Sequence, residues 1–494
     1  SANRLDMGEE KIHEEKEEEL GELEKRAEEM RLRSVVQEEG DDIDWILAPL
    51  AVTILRMNLT LKHKHLKRDE SHWAFSLQLI IPFLLAGCGL LCTGILLDSS
   101  TSAPFFTNIP QAVVLVPVLL GLKGNLEMTF AARLSTLANV GLMDTRAAIA
   151  RAFVSNTALT QVQAVIVSSL AVVVSMLMTV VHGERIEWGN VLCLLTTSVC
   201  TASLLSFVLG SFILLVVLLS KHLKINPDNI TTPIAAAVGD LSTLATMTLL
   251  GDQFYSIPPS LSFFLVILLL FFFSLATFST FIAARNELTK DVLIHGWWSV
   301  LGAMLIGCVS GEVLRRAVSA FPGIAVFQPL INGMGGNVCA VQASRISTGL
   351  HKETKEKRED KRSLTAFASP TRAFFSDDND SSTARLLVPL SLFAHSLFFS
   401  LIFLLPYPPP PYHFSLLLAL SYFSVAFVQV VMLLYMCQWV VRCMWRVRID
   451  PDSSAIPLLT ASGDLIGTAL LSLSFFALNS IAPFLRLNIE VISP

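Results

Sequence analysis

Long apolar runs dominate this chain, and they leave it few folds to choose from. About eleven of them approach the roughly 20 residues that a helix needs to cross a bilayer. They lie near residues 74–97, 110–136, 160–182, 190–220, 229–251, 260–284, 296–318, 322–348, 385–405, 414–441 and 454–478. In lipid, every backbone N–H and C=O must find its partner inside the protein, and continuous apolar runs of this length do so as helices. The expected fold class is all-α, a polytopic membrane protein with about 11 transmembrane helices. A chain of 494 residues that is 53% hydrophobic and only 16% charged, with mean hydropathy +0.60, agrees with that class and not with an ordinary soluble one.

The net charge of −5 is unevenly spread, because acidic residues crowd positions 1–44. Opposite-charge pairs at helical spacing from Met7 to Arg33 predict an exposed helix. Trp45 to Leu55 is apolar but too short to span, and reads as interfacial. Basic clusters are short and flank apolar runs, which argues against a nucleic-acid partner. The eight cysteines show neither a disulfide framework nor zinc spacing. The charged start of the chain has no apolar core of a signal peptide.

Lys62, Lys64, Lys67 and Arg68 precede the first span, so the positive-inside rule places the N-terminus in the cytoplasm. Alternate loops agree, and an odd number of spans puts the C-terminus outside. Loops near 98–109, 252–259 and 406–413 carry no Lys or Arg. Arg315 and Arg316 are the exception, because they fall near an outside end. The polar stretch 352–384 reads as a flexible cytoplasmic loop.

Two blocks of sequence recur. Pro117, Gly121, Gly124, Asn125, Arg133, Ser135 and Thr136 reappear 212 residues later as Pro329, Gly333, Gly336, Asn337, Arg345, Ser347 and Thr348. Pro227-Asp228, Pro233 and Gly239-Asp240 reappear 224 residues later as Pro451-Asp452, Pro457 and Gly463-Asp464. The chain therefore divides into an N-terminal region 1–72, a five-helix repeat 73–252, a linker helix within 253–295, a second five-helix repeat 296–480, and a tail 481–494. Five crossings reverse the chain and the linker crossing restores it, so the two repeats are expected to be parallel, about an axis along the membrane normal.

Asp240 and Asp464 are the leading functional candidates. A carboxylate deep in a bilayer costs about 2.5–3.5 kcal/mol on insertion scales, and such residues mark cavities and ion paths. Two of them facing each other compensate a divalent charge. Gly239 and Gly463 before them allow close helix approach. Gly124-Asn125 and Gly336-Asn337 read as breaks in their helices, with Asn125 and Asn337 offering amide oxygens and exposed carbonyls beside a wet path. Glu127, two residues beyond Asn125, either enlarges the cation site or pairs with Lys123; the second repeat has Cys339 there. Asp98, Asp228 and Asp452 sit at span ends as mouth charges. All these donors are oxygens, which suits magnesium or calcium better than softer metals. A pair of membrane aspartates also serves intramembrane proteases, but the first Gly of a Gly-x-Gly-Asp motif is missing from both blocks.

The blocks Pro117–Thr136 and Pro227–Thr243, repeated as Pro329–Thr348 and Pro451–Thr468, resemble solute carrier family 41, animal relatives of the bacterial magnesium channel MgtE. The resemblance covers about residues 74–480. It implies a non-enzymatic magnesium transporter of the plasma membrane, with Mg2+ as the transported ion and Asp240 and Asp464 in its path. Sodium-coupled exchange and passive flux are both modes it allows, so Na+ is a second expected ion. In the bacterial proteins two five-span chains form the pore. Both look fused here, so the resemblance implies a monomer, an internal pseudo-dimer, with lipid its surroundings. It departs from the bacterial pattern before the first span, where residues 1–72 are too few for their magnesium-sensing domains. It departs again at Lys123, where the second repeat has Gly335.

Overall fold

The computed structural model describes residues 72–139, 143, 145–222, 227–356, 369–376, 378–405, 415–449 and 451–481. The acidic N-terminal region, Trp45–Leu55, the proline turn at 406–413, and the tail beyond residue 481 lie outside them. Fourteen α-helices and no strand occur among the described residues: α1 (His72–Ser100), α2 (Pro104–Asn108), α3 (Gln111–Asn139), α4 (Arg146–Val181), α5 (Trp188–His222), α6 (Pro227–Tyr255), α7 (Phe263–Arg285), α8 (Glu287–His295), α9 (Trp297–Ala320), α10 (Ile324–Glu356), α11 (Pro370–Phe375), α12 (Asn379–Leu404), α13 (Leu416–Arg446) and α14 (Pro451–Ile481). Among the described residues, ten helices are long and apolar enough to cross a membrane. The eleventh expected span is α6, a 29-residue helix whose side chains before Val238 fall outside the described ones.

The described residues from 76 onward form one compact unit, and its packing repeats itself. In the first half α3 packs on α4, α5 and α6, α4 on α5, and α5 on α6. In the second half α10 packs on α12, α13 and α14, α12 on α13, and α13 on α14, the same five pairings in the same order. The linker helix α7 lies against α4 and α5 at the periphery. Only 22% of its apolar window is buried, against 78% for the windows of α3 and α10, the two most buried of the ten spans.

The first helix of each half crosses to the other half. Gly94 of α1 lies so close to the Val326 carbonyl oxygen of α10 that a Cβ would overlap it. Gly311 of α9 stands in the same relation to the Val114 carbonyl oxygen of α3. Val114 and Val326 are themselves 212 residues apart. Between membrane helices the hydrophobic effect supplies little attraction, so close packing over small residues holds them. Both halves are thereby interlocked through one duplicated contact.

Several helix starts are capped by side chains: Thr145 accepts from Ala148 N at 3.2 Å, Asp378 from Ser381 N at 2.8 Å, and Ser415 from Leu418 N at 3.1 Å. Asp252 at the end of α6 accepts from Phe105 N at 2.9 Å and pins the short α2.

Three expectations need correction. First, α3 and α10 run unbroken through Gly124-Asn125 and Gly336-Asn337. A helical Gly costs only about 1 kcal/mol against Ala, and packing on every side outweighs it. The irregularity in each helix comes earlier, at Pro117 and Pro329, which lack the N–H that would bond the carbonyl four residues back. Second, α4 begins at Arg146, well before residue 160, so Arg146 and Arg151 occupy its first turns. Third, the stretch 352–384 contains helical segments: α10 extends to Glu356, α11 and the start of α12 follow, and Arg442 Nη2 pairs with Asp380 Oδ2 at 3.0 Å.

Arg315 and Arg316 find their explanation in α9 itself. Glu312 binds both, at 2.8 Å to each Nε, and Glu184 after α4 reaches Arg315 Nη1 at 3.2 Å. Their charge is neutralised locally.

Candidate functional site

The sequence-predicted residues converge on one cavity between the halves. Its volume is about 90 Å³, and α1, α3, α6, α10 and α14 enclose it. Five residue pairs at the repeat offsets line it: Pro117 with Pro329, Gly121 with Gly333, Gly124 with Gly336, Asn125 with Asn337, and Asp240 with Asp464. Water needs about 10–15 Å³ in this measure, so there is room for several molecules.

Each aspartate is delivered by the last helix of its half, and each asparagine by the most buried one. The glycines sit where side chains would otherwise fill the space. A Cβ on Gly121 would be 3.6 Å from Asp464 Oδ2, and one on Gly336 would be 3.7 Å from the Thr460 methyl. Ala86, Leu90 and Met128 form an apolar part of the wall. Among the described residues neither aspartate makes an ion pair with Lys, Arg or His, and the two carboxylates are within electrostatic range of each other.

Polar residues found in one half only complete the site, and duplication gave no hint of them. Thr460 Oγ1 donates to Asn125 Oδ1 across the halves at 3.3 Å. Asn332 Nδ2 donates to the Asp464 backbone carbonyl at 3.1 Å and to Thr468 Oγ1 at 2.9 Å. Gln429 Nε2 donates to the Gly463 carbonyl at 3.0 Å. These bonds fix the backbone of α14 on both sides of the Gly463-Asp464 peptide. Asn332 and Gln328 both line the cavity, and each keeps a buried side-chain oxygen without a hydrogen-bond partner. The available signal was a pair of amides four residues apart in an apolar run, beside Pro329.

Other candidates fall outside the cavity lining. Glu127 Oε1 pairs with Lys123 Nζ at 3.2 Å, and Lys123 also donates to Ser206 Oγ at 3.0 Å on α5. Lys123 therefore points away from the cavity. Gly239 and Gly463 are buried neighbours of the aspartates and pack against Glu127 and Leu433. Asp98 lies in the last turns of α1, at a helix end as expected. The side chains of Asp228 and Asp452 are outside the described residues, although both open their helices, α6 and α14. Among the described residues no cluster of three or more His, Cys, Asp or Glu is arranged to hold a metal.

A helical membrane bundle enclosing a small, oxygen-lined, doubly acidic cavity has the properties of a cation transporter. The comparisons agree. A family model described as MgtE, divalent cation transporter, matches residues 116–250 and again 328–474. Solute carrier family 41 member 3 of Mus musculus is 39% identical over 409 residues, covering 82% of this chain and 83% of the relative. Member 2 of Xenopus laevis is 40% identical over 415 residues, covering 83% and 73%. Member 2 of Homo sapiens is 39% identical over 410 residues, covering 82% and 71%. The chain belongs to the MgtE divalent cation transporter family and, within it, to solute carrier family 41. No solved structure matches it at a significant level.

Proposed function

We propose that this protein moves Mg2+ across the plasma membrane through the cavity between its halves, with Asp240 and Asp464 holding the partly hydrated ion. The observation that carries this reading is the convergence of five duplicated residue pairs on one cavity. Two carboxylates match one divalent charge. Magnesium dehydrates reluctantly and is held by one or two carboxylates plus waters, which suits a site with two acids, two asparagine amides and room for water. The fused halves make a monomer sufficient, with the N-terminus cytoplasmic and the C-terminus outside.

The test is Mg2+ flux into liposomes carrying the purified protein. Asp240→Asn and Asp464→Asn are each expected to reduce flux to the level of empty liposomes while the protein elutes as a single species. Flux retained in either variant overturns the assignment. Imposing a sodium gradient in the same assay separates exchange from passive flow: sodium-driven flux makes it an exchanger, and indifference to sodium makes it a channel. Competition by calcium or cobalt reports selectivity among divalent ions.

A further inference from the structure

One buried ion pair is present in the first half and absent from the second. Lys123 and Glu127 are four residues apart on α3, 3.2 Å apart, with side chains only 1% and 5% exposed. At the same repeat positions α10 carries Gly335 and Cys339. Gly335 faces Gln429, and the Cys339 thiol lies 3.0 Å from Cys437 Sγ. Stability gives little reason for the pair, because buried ion pairs are often matched or bettered by apolar residues. The second half builds the same helix packing without it.

Position supplies a reason. Glu127 Oε2 lies against Gly239, 2.5 Å from where a Cβ would be. Gly239 directly precedes Asp240, and the Glu127 and Asp240 carboxylates are within electrostatic range. Without Lys123, a third negative charge would stand just behind the cavity. Without Glu127, an ammonium would stand there instead. Together they add almost no net charge, leaving the sum at that of Asp240 and Asp464.

We infer that the Lys123–Glu127 pair is a positioning and charge-setting element: it holds the cavity at two negative charges and so tunes it to a single divalent cation. This rests on the aspartates being the ion site. The probe is hexaamminecobalt(III), an inert trivalent complex about the size of hydrated magnesium, used to block Mg2+ flux in liposomes at about pH 8.5, where carboxylates are ionised. Three variants separate charge from packing. Lys123→Met leaves an extra negative charge, and block should strengthen about tenfold. Glu127→Gln combined with Lys123→Arg leaves a permanent cation, and block should weaken about tenfold while Mg2+ flux falls. Lys123→Met combined with Glu127→Gln removes both charges, and block should return to within about threefold of wild type.

Shifts in the same direction for the two charge-altering variants would overturn the proposal, as would a neutral double variant no closer to wild type than they are. If the charge-altering variants do not fold, Lys123→Glu combined with Glu127→Lys still decides. It keeps the sum at zero, so wild-type block supports the proposal and altered block refutes it. Asp240→Asn runs in parallel: flux surviving there sinks the ion-site reading itself, whereas flux lost there with no charge-dependent shift sinks only this one.

Discussion

The carboxylate of Asp464 faces Gly121 across the boundary between the halves: its Oδ2 lies 3.6 Å from the point a Cβ on Gly121 would occupy. That is ordinary van der Waals spacing. Gly121→Ala should therefore be accepted, with Mg2+ flux within about threefold of wild type, since a methyl group only lines the wall. Gly121→Leu would project a branched chain into a cavity of about 90 Å³, and flux should be lost although the protein still folds. Liposome flux checks both, and an active leucine variant would move the path elsewhere.

The crossed contacts of α1 and α9 leave no such freedom. A Cβ on Gly311 would overlap the Val114 carbonyl, and one on Gly94 the Val326 carbonyl, and in both cases the obstacle is backbone. Gly311→Ala and Gly94→Ala should each destabilise by about 1–3 kcal/mol, the usual cost of overpacking, read as a lower thermal midpoint in detergent. Gly189, with nothing within 4 Å of its built Cβ, is the control. Gly189→Ala should leave the thermal midpoint unchanged or slightly raised, because Gly189 sits in the first turn of α5, where helix propensity counts for less.

Much of this architecture was legible in the sequence. Ten of the expected spans appear among the described residues as helices long and apolar enough to cross. Asn125, Asn337, Asp240 and Asp464 all reach one cavity, because residues copied at a constant offset occupy corresponding places around it. Local signals did less well. Gly-Asn was read as a helix break, but that is a weak preference which packing on all sides of α3 overrides. The i,i+4 spacing of Lys123 and Glu127 made a pair available. It did not say which side of a fully surrounded helix the pair would face. Asn332 and Thr460 escaped notice for a different reason. Each occurs in one half only, and a search for duplicated chemistry passes over single-copy residues.

Asn332 offers a direct check on that omission. Its Nδ2 is shared between the Asp464 carbonyl and Thr468 Oγ1. Asn332→Leu removes both of these buried hydrogen bonds, at about 0.5–1.5 kcal/mol each, while Thr468 Oγ1 keeps Ser310 and Gln328 as donors. It also frees the turn of α14 that carries Asp464. The thermal midpoint should drop and the apparent KM for Mg2+ should rise.

The C-terminal ends of α4 and α9 are joined by charge. Glu312 holds Arg315 and Arg316, Glu184 reaches Arg315, and His182 Nε2 lies 2.5 Å from Arg316 Nη2. Exposure differs along the network: the Arg315 and Glu312 side chains are 17% and 13% exposed, and Arg316 is 60%. Half-buried members should therefore matter and the exposed one should not, because solvent-exposed pairs contribute about 0–1 kcal/mol. Glu312→Gln should cost about 1–3 kcal/mol by leaving Arg315 under-paired, whereas Arg316→Gln should change the thermal midpoint little. Since none of these residues lines the cavity, neither variant should alter the KM for Mg2+. A KM shift in Glu312→Gln would mean that movement of α9 reaches the cavity, through its contact with α3 at Gly311.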